Sequence, residues 1–429
     1  MDIKSIHNYF LKCNSVSIDT RKIEPGSMFV AIKGENFDAN TFAKEALEKG
    51  ASYVIIDNPD YFIDERTIVV EDSLKTLQEL AKFHREQLNI PIIALTGSNG
   101  KTTTKELIQV VLAQKYNTKA TLGNLNNHIG VPLTLLSFTN ETEVGIVEMG
   151  ANHQKEIEFL CEIAKPDYGY ITNFGKAHLE GFGGVEGVIK GKSEMYSYLS
   201  THHKTAFVNL NDPIQVDKTL NINSFTFGLD NQKADVLIDS ITANPFVEIV
   251  TNNTKITSHL IGLYNSNNIN AAITIGIKFG VTLEAIKKAI EGFVPQNNRS
   301  QMLTINSNEI ILDAYNANPS SMSVALENFF QLENDNKIAI LGDMFELGDE
   351  SIKEHKSIVD LVINNNNIIT TYFIGKDFYA NKIEINNSSF FISYEDFSEY
   401  FKENKINHTL ILIKGSRGMA LERTLQLLS

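Results

Sequence analysis

Residues 92–105 read IIALTGSNGKTTTK, and this stretch decides the central part of the fold. Residues 92–95 are an apolar run after Pro91, which favours a short buried parallel strand. A turn with two glycines follows, and the residues from Lys101 onward have helical spacing. A strand, a glycine turn and a helix N-terminus form an anion site, because free backbone N–H groups and a lysine point at the ligand. The sequence therefore predicts a nucleoside-triphosphate site.

The loop is shorter than the Walker pattern, since Leu95 stands where the first glycine of that pattern is expected. In a phosphate loop of this kind Lys101 holds the phosphates and Thr102 places its hydroxyl on Mg²⁺. The alternative is an ordinary glycine turn before a helix. The residues predicted to bind ATP here are Gly97, Ser98, Asn99, Gly100, Lys101, Thr102 and Thr103.

Length and composition limit the class of protein. A chain of 429 residues exceeds a single core and suggests roughly three domains of about 150 residues each. The net charge of −14 argues against a nucleic-acid or anionic-membrane partner, since both favour a basic surface. Two cysteines cannot form a disulfide framework, and no apolar run approaches the roughly 18 residues of a membrane span. The N-terminus lacks the apolar core of a signal peptide, so we expect a cytoplasmic protein without a membrane span.

Strands alternate with helices along the whole chain, which predicts α/β domains with mostly parallel sheets. Two breaks, at residues 89–91 and at Pro295, divide the chain into residues 1–90, 91–294 and 295–429. Ligands of such sheets bind at the carboxyl ends of the strands. Strands are predicted over residues 28–32, 53–56, 68–70, 143–148, 168–172, 205–210, 309–312, 337–341, 371–374 and 409–413.

Three residues of the middle section are candidates for a metal shell. Glu148 ends an apolar strand in VEMGANH, where a phosphate-loop enzyme has its second magnesium contact. His178 follows another strand in ITNFGKAHLEGFG and is either a ligand or a plain loop histidine. Lys192, in IKGKSEMY, is on its residue type alone predicted to be an exposed helix lysine, because metal ions repel a free ammonium.

Polar residues at other strand ends have two possible roles, either a contact with the nucleotide or a local structural one. Asn209 and Asp212 in VNLNDP face a nucleotide or form a turn. Asn265 and Asn268 in LIGLYNSNNINAAI pair with adenine or cap a helix. Three polar strand ends in the last part, ILDAYNANPSS with Asp313, LGDMFELGDES and LIKGSRGM, indicate a further site there.

Together these motifs resemble the Mur ligase family, the ATP-dependent amide-bond-forming enzymes of peptidoglycan precursor and cell-wall synthesis. TGSNGKTTTK is similar to the family's shortened phosphate loop, and GNLNNHIGVPLTLL, VEMGANH, YNANP, GDMFELG and IKGSR follow in the family's order over nearly the whole chain. The segment SIDTRKIEPGSMFVAIKGENFDAN is similar to the family's uridine-diphosphate-binding segment. The pattern departs from relatives at Tyr264, His128, Ala39 and Asn40, where histidine, glutamate and a Gly-His pair are common.

The resemblance implies three domains: an N-terminal UDP-substrate domain, a central P-loop ATPase-like domain and a C-terminal Rossmann-like ligase domain. It implies that Lys192 carries a carbamate. The carbamate replaces the positive ammonium by a negatively charged metal ligand, so metal ions would no longer repel this side chain. The cofactors would be ATP and two Mg²⁺ ions. The implied metal ligands are Thr102, Glu148, His178 and carbamylated Lys192, and the implied catalytic residues are Lys101, Glu148, His178 and Lys192. The implied nucleotide contacts also include Asn265, Asn268, Arg299 and Asp313. The implied UDP-substrate contacts are Asp19, Thr20, Arg21 and Asp38.

Within the family, the motifs are most similar to the branch that joins D-alanyl-D-alanine to UDP-N-acetylmuramoyl-tripeptide. We therefore expect these two small-molecule partners, an acyl-phosphate intermediate and a monomeric enzyme. One alternative is a sibling ligase that adds a single amino acid, although its Asp-Asn-Pro-Arg signature does not occur in the sequence. Another is a P-loop ATP hydrolase or switch, which leaves the N-terminal motif and Lys192 without a role.

Overall fold

The computed structural model describes residues 1–296, 298–365, 369–384, 386–403 and 406–428. Three large sheets of four, seven and six strands occupy successive parts of the described chain, with helices packed on them, and two small antiparallel sheets accompany them. The fold is therefore the predicted three-domain α/β class, with mostly parallel sheets. No helix of the described part of the chain is long and apolar enough to cross a membrane.

The N-terminal domain has a four-stranded parallel sheet in the order β1-β2-β5-β6 and a small antiparallel β3-β4 hairpin. Its fully buried strand β2 is flanked by apolar helix faces, as expected for a parallel sheet. Its elements are α1 (Ile3–Phe10), β1 (Val16–Ser17), β2 (Met28–Val30), β3 (Lys33–Gly34), β4 (Phe37–Asp38), α2 (Ala43–Glu48), β5 (Tyr53–Ile56), β6 (Thr67–Val69) and α3 (Ser73–Leu88).

The central domain has a seven-stranded parallel sheet in the order β13-β12-β11-β10-β7-β9-β8. The predicted nucleotide strand β7 lies between β10 and β9, so the loops after these three strands meet at one sheet edge. The elements are β7 (Ile92–Thr96), α4 (Lys101–Leu112), β8 (Thr118–Ala120), α5 (Gly130–Leu136), β9 (Val144–Glu148), α6 (Glu156–Ala164), β10 (Tyr168–Ile171), α7 (Leu179–Phe182), α8 (Val185–Thr201), β11 (Thr205–Asn209), α9 (Pro213–Lys218), β12 (Asn223–Leu229) and β13 (Val236–Ile238).

A three-stranded antiparallel sheet follows the large sheet and was not expected from the sequence. It consists of β14 (Ser240–Ala243), β15 (Phe246–Thr251) and β16 (Thr254–Ile261). Strand β15 alternates buried and half-buried residues, which is the period of a sheet with one covered face. Helices α10 (Ser266–Lys278) and α11 (Leu283–Glu291) then pack against α4, the helix that follows the phosphate loop.

The C-terminal domain has a six-stranded sheet in the order β17-β18-β22-β19-β20-β21, parallel except for the β17-β18 pair. The carboxyl ends of β18, β22 and β19 are adjacent, so the three polar strand ends seen in the sequence meet at one edge. The elements are β17 (Gln301–Ile305), β18 (Asn308–Asp313), α12 (Pro319–Gln331), β19 (Lys337–Gly342), α13 (Ser351–Ile363), β20 (Thr370–Ile374), α14 (Lys376–Ala380), β21 (Ser388–Phe391), α15 (Tyr394–Lys402) and β22 (Leu410–Lys414).

Helix α3 joins the N-terminal domain to the central domain through buried polar contacts. Arg85 donates to the carbonyl of Ala164 at 3.1 Å and to the carboxylate of Asp167 at 2.9 Å. The preceding residue, His84, bonds to His7 at 3.0 Å and to the carbonyl of Phe138 at 2.9 Å. Burial lowers the pKa of both histidines, so the neutral forms hold this junction.

Candidate active site

A cavity of about 920 Å³ lies where the central and C-terminal sheets present their strand ends to each other. Most of the residues predicted from the sequence line it, although they come from distant parts of the chain. Those that line the cavity are Ser98, Asn99, Gly100, Lys101, Thr102, Thr103, Glu148, His178, Asn265, Asn268, Arg299 and Asp313. Gly97, Lys192, Asp19, Thr20, Arg21 and Asp38 are not among the residues of its wall.

The phosphate loop is shaped by the segment that follows β10. The backbone N–H of Asn99 donates to Oδ1 of Asn173 at 3.0 Å, and Asn173 Nδ2 returns a bond to the carbonyl of Asn99 at 3.0 Å. The N–H of Ser98 donates to the carbonyl of Asn173 at 3.1 Å. A Cβ on Gly97 would overlap the hydroxyl of Thr172, so this glycine permits close approach of two loops. Gly97 therefore contributes to loop packing.

The free amides for an anion are those of the first turn of α4. Gly100 precedes the helix at φ +79°, and no side chain caps the helix start. The first N–H groups of a helix have no intrahelical acceptor, so they are left for a ligand. Lys101 donates to the carbonyls of Gly97 at 2.7 Å and Ser98 at 3.3 Å, and burial lowers its pKa. The predicted anion site thus consists of the helix start and Lys101.

Glu148 lies at the end of β9, buried opposite the start of α4. Its Oε1 accepts from Asn126 Nδ2 at 2.8 Å and from the hydroxyl of Thr102 at 3.3 Å. Its Oε2 is buried with no hydrogen-bond donor among the described residues, and the nearest cation is Lys105 Nζ at 3.8 Å. Asn126 and Lys105 were missed from the sequence, although both stand in the quoted motifs; their contacts with Glu148 depend on tertiary packing.

The oxygen donors around Glu148 fit a magnesium ion. Mg²⁺ prefers hard oxygen ligands and is usually held by one or two carboxylates together with phosphates and waters. Thr102 and Glu148 supply such oxygens, and the unpartnered Oε2 is an acceptor that a cation would satisfy. No cluster of three or more His, Cys, Asp or Glu that could hold a metal ion occurs in the described residues.

Lys192 is buried, with 1% of its surface exposed, so the expectation of an exposed helix lysine is wrong. Helix α8 turns Val188, Lys192, Met195 and Leu199 to the interior, at the spacing of one helical face. Lys192 Nζ donates to the carbonyl of Ala151 at 3.1 Å and lies 5.0 Å from the centre of the Phe182 ring. Burial, with Lys101 second, holds its pKa well below the ordinary lysine range, so the neutral amine is favoured.

His178 lines the cavity in the left-handed conformation, at φ +52°. Its Nδ1 contacts a carboxylate oxygen of Glu346, which lies in the loop after β19 of the C-terminal domain. The contact lowers the pKa of Glu346 through the hydrogen bond from the ring. Glu346 stands in the quoted GDMFELG motif, but its partner in the central domain could not be read from the sequence.

Asn265 and Asn268 hold the start of α10 against the phosphate loop. Asn268 Nδ2 donates to Oδ1 of Asn265 at 2.8 Å, and Asn268 Oδ1 accepts from the hydroxyl of Thr104 at 3.0 Å. Asn265 makes no side-chain cap bond to α10, so the helix-capping alternative is not realised there. At Asp212 the turn alternative holds, since its carboxylate accepts from Ile214 N at 2.9 Å and caps α9.

The C-terminal domain contributes a compact charged group. The guanidinium of Arg299 stacks 3.5 Å from the ring centre of Tyr315, and its Nε is buried without a partner among the described residues. Asp313 accepts from Ser300 N at 3.1 Å and from Lys414 Nζ at 2.5 Å. Tyr264 of the central domain bonds Ser300 at 3.0 Å, so the two domains meet beside this group.

Asp343, in the quoted GDMFELG motif, has a structural role. Its carboxylate accepts from the backbone N–H groups of Asp377 at 3.0 Å and Phe378 at 2.9 Å, which anchors the start of α14. A Cβ on Gly375, at φ +127°, would overlap this carboxylate. Asp343 thus fixes the loop that carries Glu346.

The uridine-type residues lie in two short turns of the N-terminal domain. Asp19 accepts from the backbone and side chain of Arg21, whose hydrogen bond lowers the pKa of Asp19 to about 2. Asp38 accepts from Asn40 N at 2.9 Å and Asn40 Nδ2 at 2.7 Å. Asn40, which stands where relatives commonly have histidine, is fully buried and also donates to Asp57. Its side chain therefore has a structural role here. Arg21 remains exposed toward solvent.

Three family models match successive parts of the chain: the Mur ligase family catalytic domain over residues 12–85, the Mur ligase middle domain over 95–276, and the Mur ligase glutamate ligase domain over 298–417. Together with full-length relatives above 30% identity, these matches show that the chain belongs to the Mur ligase family.

Individual members of the family align along nearly the entire chain. It is similar to the UDP-N-acetylmuramoyl-tripeptide–D-alanyl-D-alanine ligase of Bacillus subtilis, with 35% identity over 95% of this chain and 92% of that protein. The crystal structure of MurF from Acinetobacter baumannii superimposes with a TM-score of 0.87 at 29% identity, covering 99% and 98% of the two chains. MurF ligase from Thermotoga maritima in complex with ADP gives a TM-score of 0.83 at 25% identity, covering 98% and 97%.

Proposed function

We propose that this chain is the ATP-dependent ligase that joins D-alanyl-D-alanine to UDP-N-acetylmuramoyl-tripeptide in peptidoglycan precursor synthesis. One observation carries the proposal: a single cavity brings together the start of α4, the carboxylate of Glu148 and the Arg299 group of the C-terminal domain. The named activity of the similar Bacillus subtilis ligase supports this choice of substrates. The ADP complex of the similar Thermotoga maritima ligase supports ATP as the nucleotide.

The first step activates the tripeptide. Its terminal carboxylate attacks the γ-phosphorus of ATP, the bond to the β–γ bridging oxygen breaks, and the products are an acyl phosphate and ADP. Lys101 and the free amides at the start of α4 offset negative charge on the transferring phosphoryl group. The buried unpaired Nε of Arg299 supports a phosphate contact from the C-terminal domain, and Asp313, which lines the same cavity, would contact the ribose.

Two sets of residues would hold magnesium. Thr102 and Glu148 would hold one ion, and His178 with carbamylated Lys192 would hold a second. When bound, the ions supply Lewis-acid neutralisation of charge on the phosphoryl oxygens. The carbamate is supported by a lysine that is buried, has a lowered pKa and makes one hydrogen bond, because CO₂ adds to the neutral amine.

The second step forms the amide. The free amine of the dipeptide attacks the acyl carbonyl, the tetrahedral intermediate collapses, and inorganic phosphate leaves. Water competes with the amine for the acyl phosphate, so the cavity must be closed during this step. Contacts between the two domains that wall the cavity support such closure, including the Tyr264–Ser300 bond at 3.0 Å.

Each of the three domains is assigned one part of the reaction. We assign residues 1–90 to the UDP-substrate, 91–294 to ATP, and 295–429 to the ligase domain that closes on both. Asp19, Thr20, Arg21 and Asp38 would contact the UDP moiety. Asn265 and Asn268 would contact the adenine through the second hydrogen-bonding position of their amide atoms, each of which already has one partner. We also propose a monomer in the cytoplasm; use of ATP and a nucleotide-linked precursor supports the cytoplasmic location.

The test is mass spectrometry of the products formed from ATP, UDP-N-acetylmuramoyl-tripeptide and candidate acceptors. We expect the pentapeptide product and stoichiometric ADP with D-alanyl-D-alanine, and none with L-alanyl-L-alanine. Transfer of a single amino acid to the shorter dipeptide precursor would instead identify a sibling ligase. Rapid ATP turnover without any acceptor would identify a hydrolase.

A further inference from the structure

His178 and Glu346 meet across the boundary between the central and C-terminal domains. His178 Nδ1 contacts the Glu346 carboxylate, and both residues have positive φ, +52° and +62°. Such angles are uncommon for residues other than glycine, and most of all for a long side chain such as glutamate. The two loops therefore hold strained backbones at the positions that bring these side chains together.

The loop that carries His178 also holds the phosphate loop. Asn173 bonds both backbone groups of Asn99, as described above, and the loop continues into contacts with the C-terminal domain. The N–H of Lys176 donates to Ser320 Oγ at 2.8 Å, and Lys176 Nζ donates to the buried Glu354 at 2.6 Å. One segment, residues 172–178, thus touches the nucleotide loop at one end and the C-terminal domain at the other.

The Glu346 contact leaves one histidine nitrogen for a ligand. With Nδ1 bonded to the carboxylate, Nε2 has no partner among the described residues, and the ring lines the cavity. A carboxylate on one imidazole nitrogen fixes the ring orientation and the tautomer that presents the other nitrogen to a metal. Even a charged pair at the surface contributes at most about 1 kcal/mol to stability, so holding the domains together is a weak reason for this contact.

We propose that Glu346 is a positioning residue: by docking on His178 from the C-terminal domain, it orients the imidazole toward the cation site only when the domains are closed. This inference rests on the proposed function, since it concerns the metal ligand His178. It makes the second cation site dependent on closure. ATP is then activated for transfer only after the C-terminal domain covers the cavity.

The experiment measures Mn²⁺ binding to the full chain with ADP by electron paramagnetic resonance, for wild type, Glu346→Ala and Glu346→Gln. We expect Glu346→Ala to weaken the weaker Mn²⁺ site roughly 10- to 100-fold, the usual effect of losing an outer-shell partner. Glu346→Gln keeps an acceptor oxygen and should recover part of that affinity. Glu354→Gln is the matched control, because it alters the neighbouring interdomain pair without touching His178.

A second readout follows the ring itself. In ¹⁵N-histidine spectra with ADP and Mg²⁺, His178 should show the Nδ1–H tautomer in wild type and lose it in Glu346→Ala; a His178→Gln spectrum identifies the signal. Equal Mn²⁺ affinities in wild type and Glu346→Ala, or equal losses in Glu346→Ala and Glu354→Gln, would overturn the inference. Failure of the proposed function would appear separately, as a wild-type enzyme that forms no amide product.

Discussion

Asn318, the N-cap residue of α12, donates its side-chain amide to Oδ1 of Asn99 in the phosphate loop at 2.8 Å. The bond joins residues 219 positions apart and connects the ligase domain directly to the nucleotide loop. The same Asn318 side chain accepts from Ser321 N at 2.9 Å to cap its own helix. One residue therefore begins a helix in one domain and restrains the phosphate loop of another.

Asn318→Ser separates these two roles, because serine is a good N-cap but is too short to reach Asn99. Loss of one hydrogen bond, worth about 0.5–1.5 kcal/mol, should raise the KM for ATP roughly 2- to 12-fold. The thermal midpoint should stay close to wild type, since the cap is preserved. Steady-state kinetics and calorimetry check both values; an unchanged KM for ATP would mean that the contact contributes nothing to nucleotide binding.

Lys101→Met should reduce kcat by about 10²-fold or more, the usual loss when one transition-state charge donor is removed. The reason is that Lys101 is the first residue of α4, beside the free amides of its first turn, and lines the cavity in which the phosphoryl charge would develop. Lys115→Met, in the turn after the same helix, is the control, because Lys115 lies away from the cavity and donates to the carbonyls of Phe279 and Gly280. A Lys101→Met enzyme that keeps more than about a tenth of wild-type kcat contradicts the phosphate-loop assignment.

Asp313→Asn should raise the KM for ATP and leave the KM for the UDP-substrate nearly unchanged, since the proposed contact is to the ribose. Asparagine keeps an acceptor for the buried Lys414, so the fold is retained better than with alanine. Glu309→Ala, on the exposed side of the same strand, should leave both KM values as in wild type. An effect confined to the UDP-substrate would place this loop elsewhere in the site.

The buried His7–His84 pair should make the junction of the first two domains sensitive to acid. Both pKa values lie below the unfolded value of 6.5, chiefly through burial, so the unfolded chain binds more protons between pH 6.5 and the folded pKa values. Stability is thus full above pH 6.5 and falls as the pH falls. Each tenfold difference in proton affinity is worth about 1.4 kcal/mol.

His84→Gln tests this sign, because glutamine can still donate to the Phe138 carbonyl but does not titrate. The variant should be less stable at neutral pH and lose less stability than wild type between pH 7 and 5. Denaturant unfolding at several pH values measures the two slopes. Parallel slopes in wild type and variant would show that acid acts elsewhere on the chain.

Many of the parallel strands were predictable because apolar runs ending in polar residues mark buried strands, and β5 begins and ends where the sequence indicated, whereas the parallel strands β8, β12, β13 and β21 were missed. The antiparallel strands β14 to β16 were missed, since their half-covered face leaves a weaker apolar signal. Glu148 could be predicted as a strand-end carboxylate. Its donor Asn126 could not, because the loop that carries it follows a different strand of the sheet.

Lys192 shows where residue type misleads and periodicity does not. A lysine alone predicts solvent exposure, whereas its spacing from Val188, Met195 and Leu199 places it on the buried face of α8. The interdomain partners Asn318 and Glu346 were beyond prediction for another reason. Each contact depends on how two separately folded sheets dock, and that docking leaves no local pattern in either motif.

Lys192→Ala should be nearly inactive, and acetate or formate should partly restore activity by supplying a small carboxylate at the vacated position. The physical reason is a buried amine with one acceptor, the carbonyl of Ala151 at 3.1 Å, and a pKa well below the usual range. Such an amine is neutral and open to CO₂, and acidification reverses the addition by protonating it. Lys190→Ala, exposed on the same helix, should keep wild-type activity without acetate.

The carbamate is itself observable, which makes this prediction independent of kinetics. Crystals grown with bicarbonate should show density for a carboxylate on Lys192 Nζ, and density should weaken in crystals held at low pH. ¹³C-bicarbonate should give a carbamate resonance in wild type that is absent from Lys192→Ala. A buried neutral lysine that has not reacted with CO₂ is a bare amine and gives no carbamate resonance. Two results would therefore contradict the prediction: wild-type protein without this resonance, or a fully active Lys192→Ala enzyme. Either result would remove Lys192 from the metal site and leave Glu148 as the main carboxylate of that site.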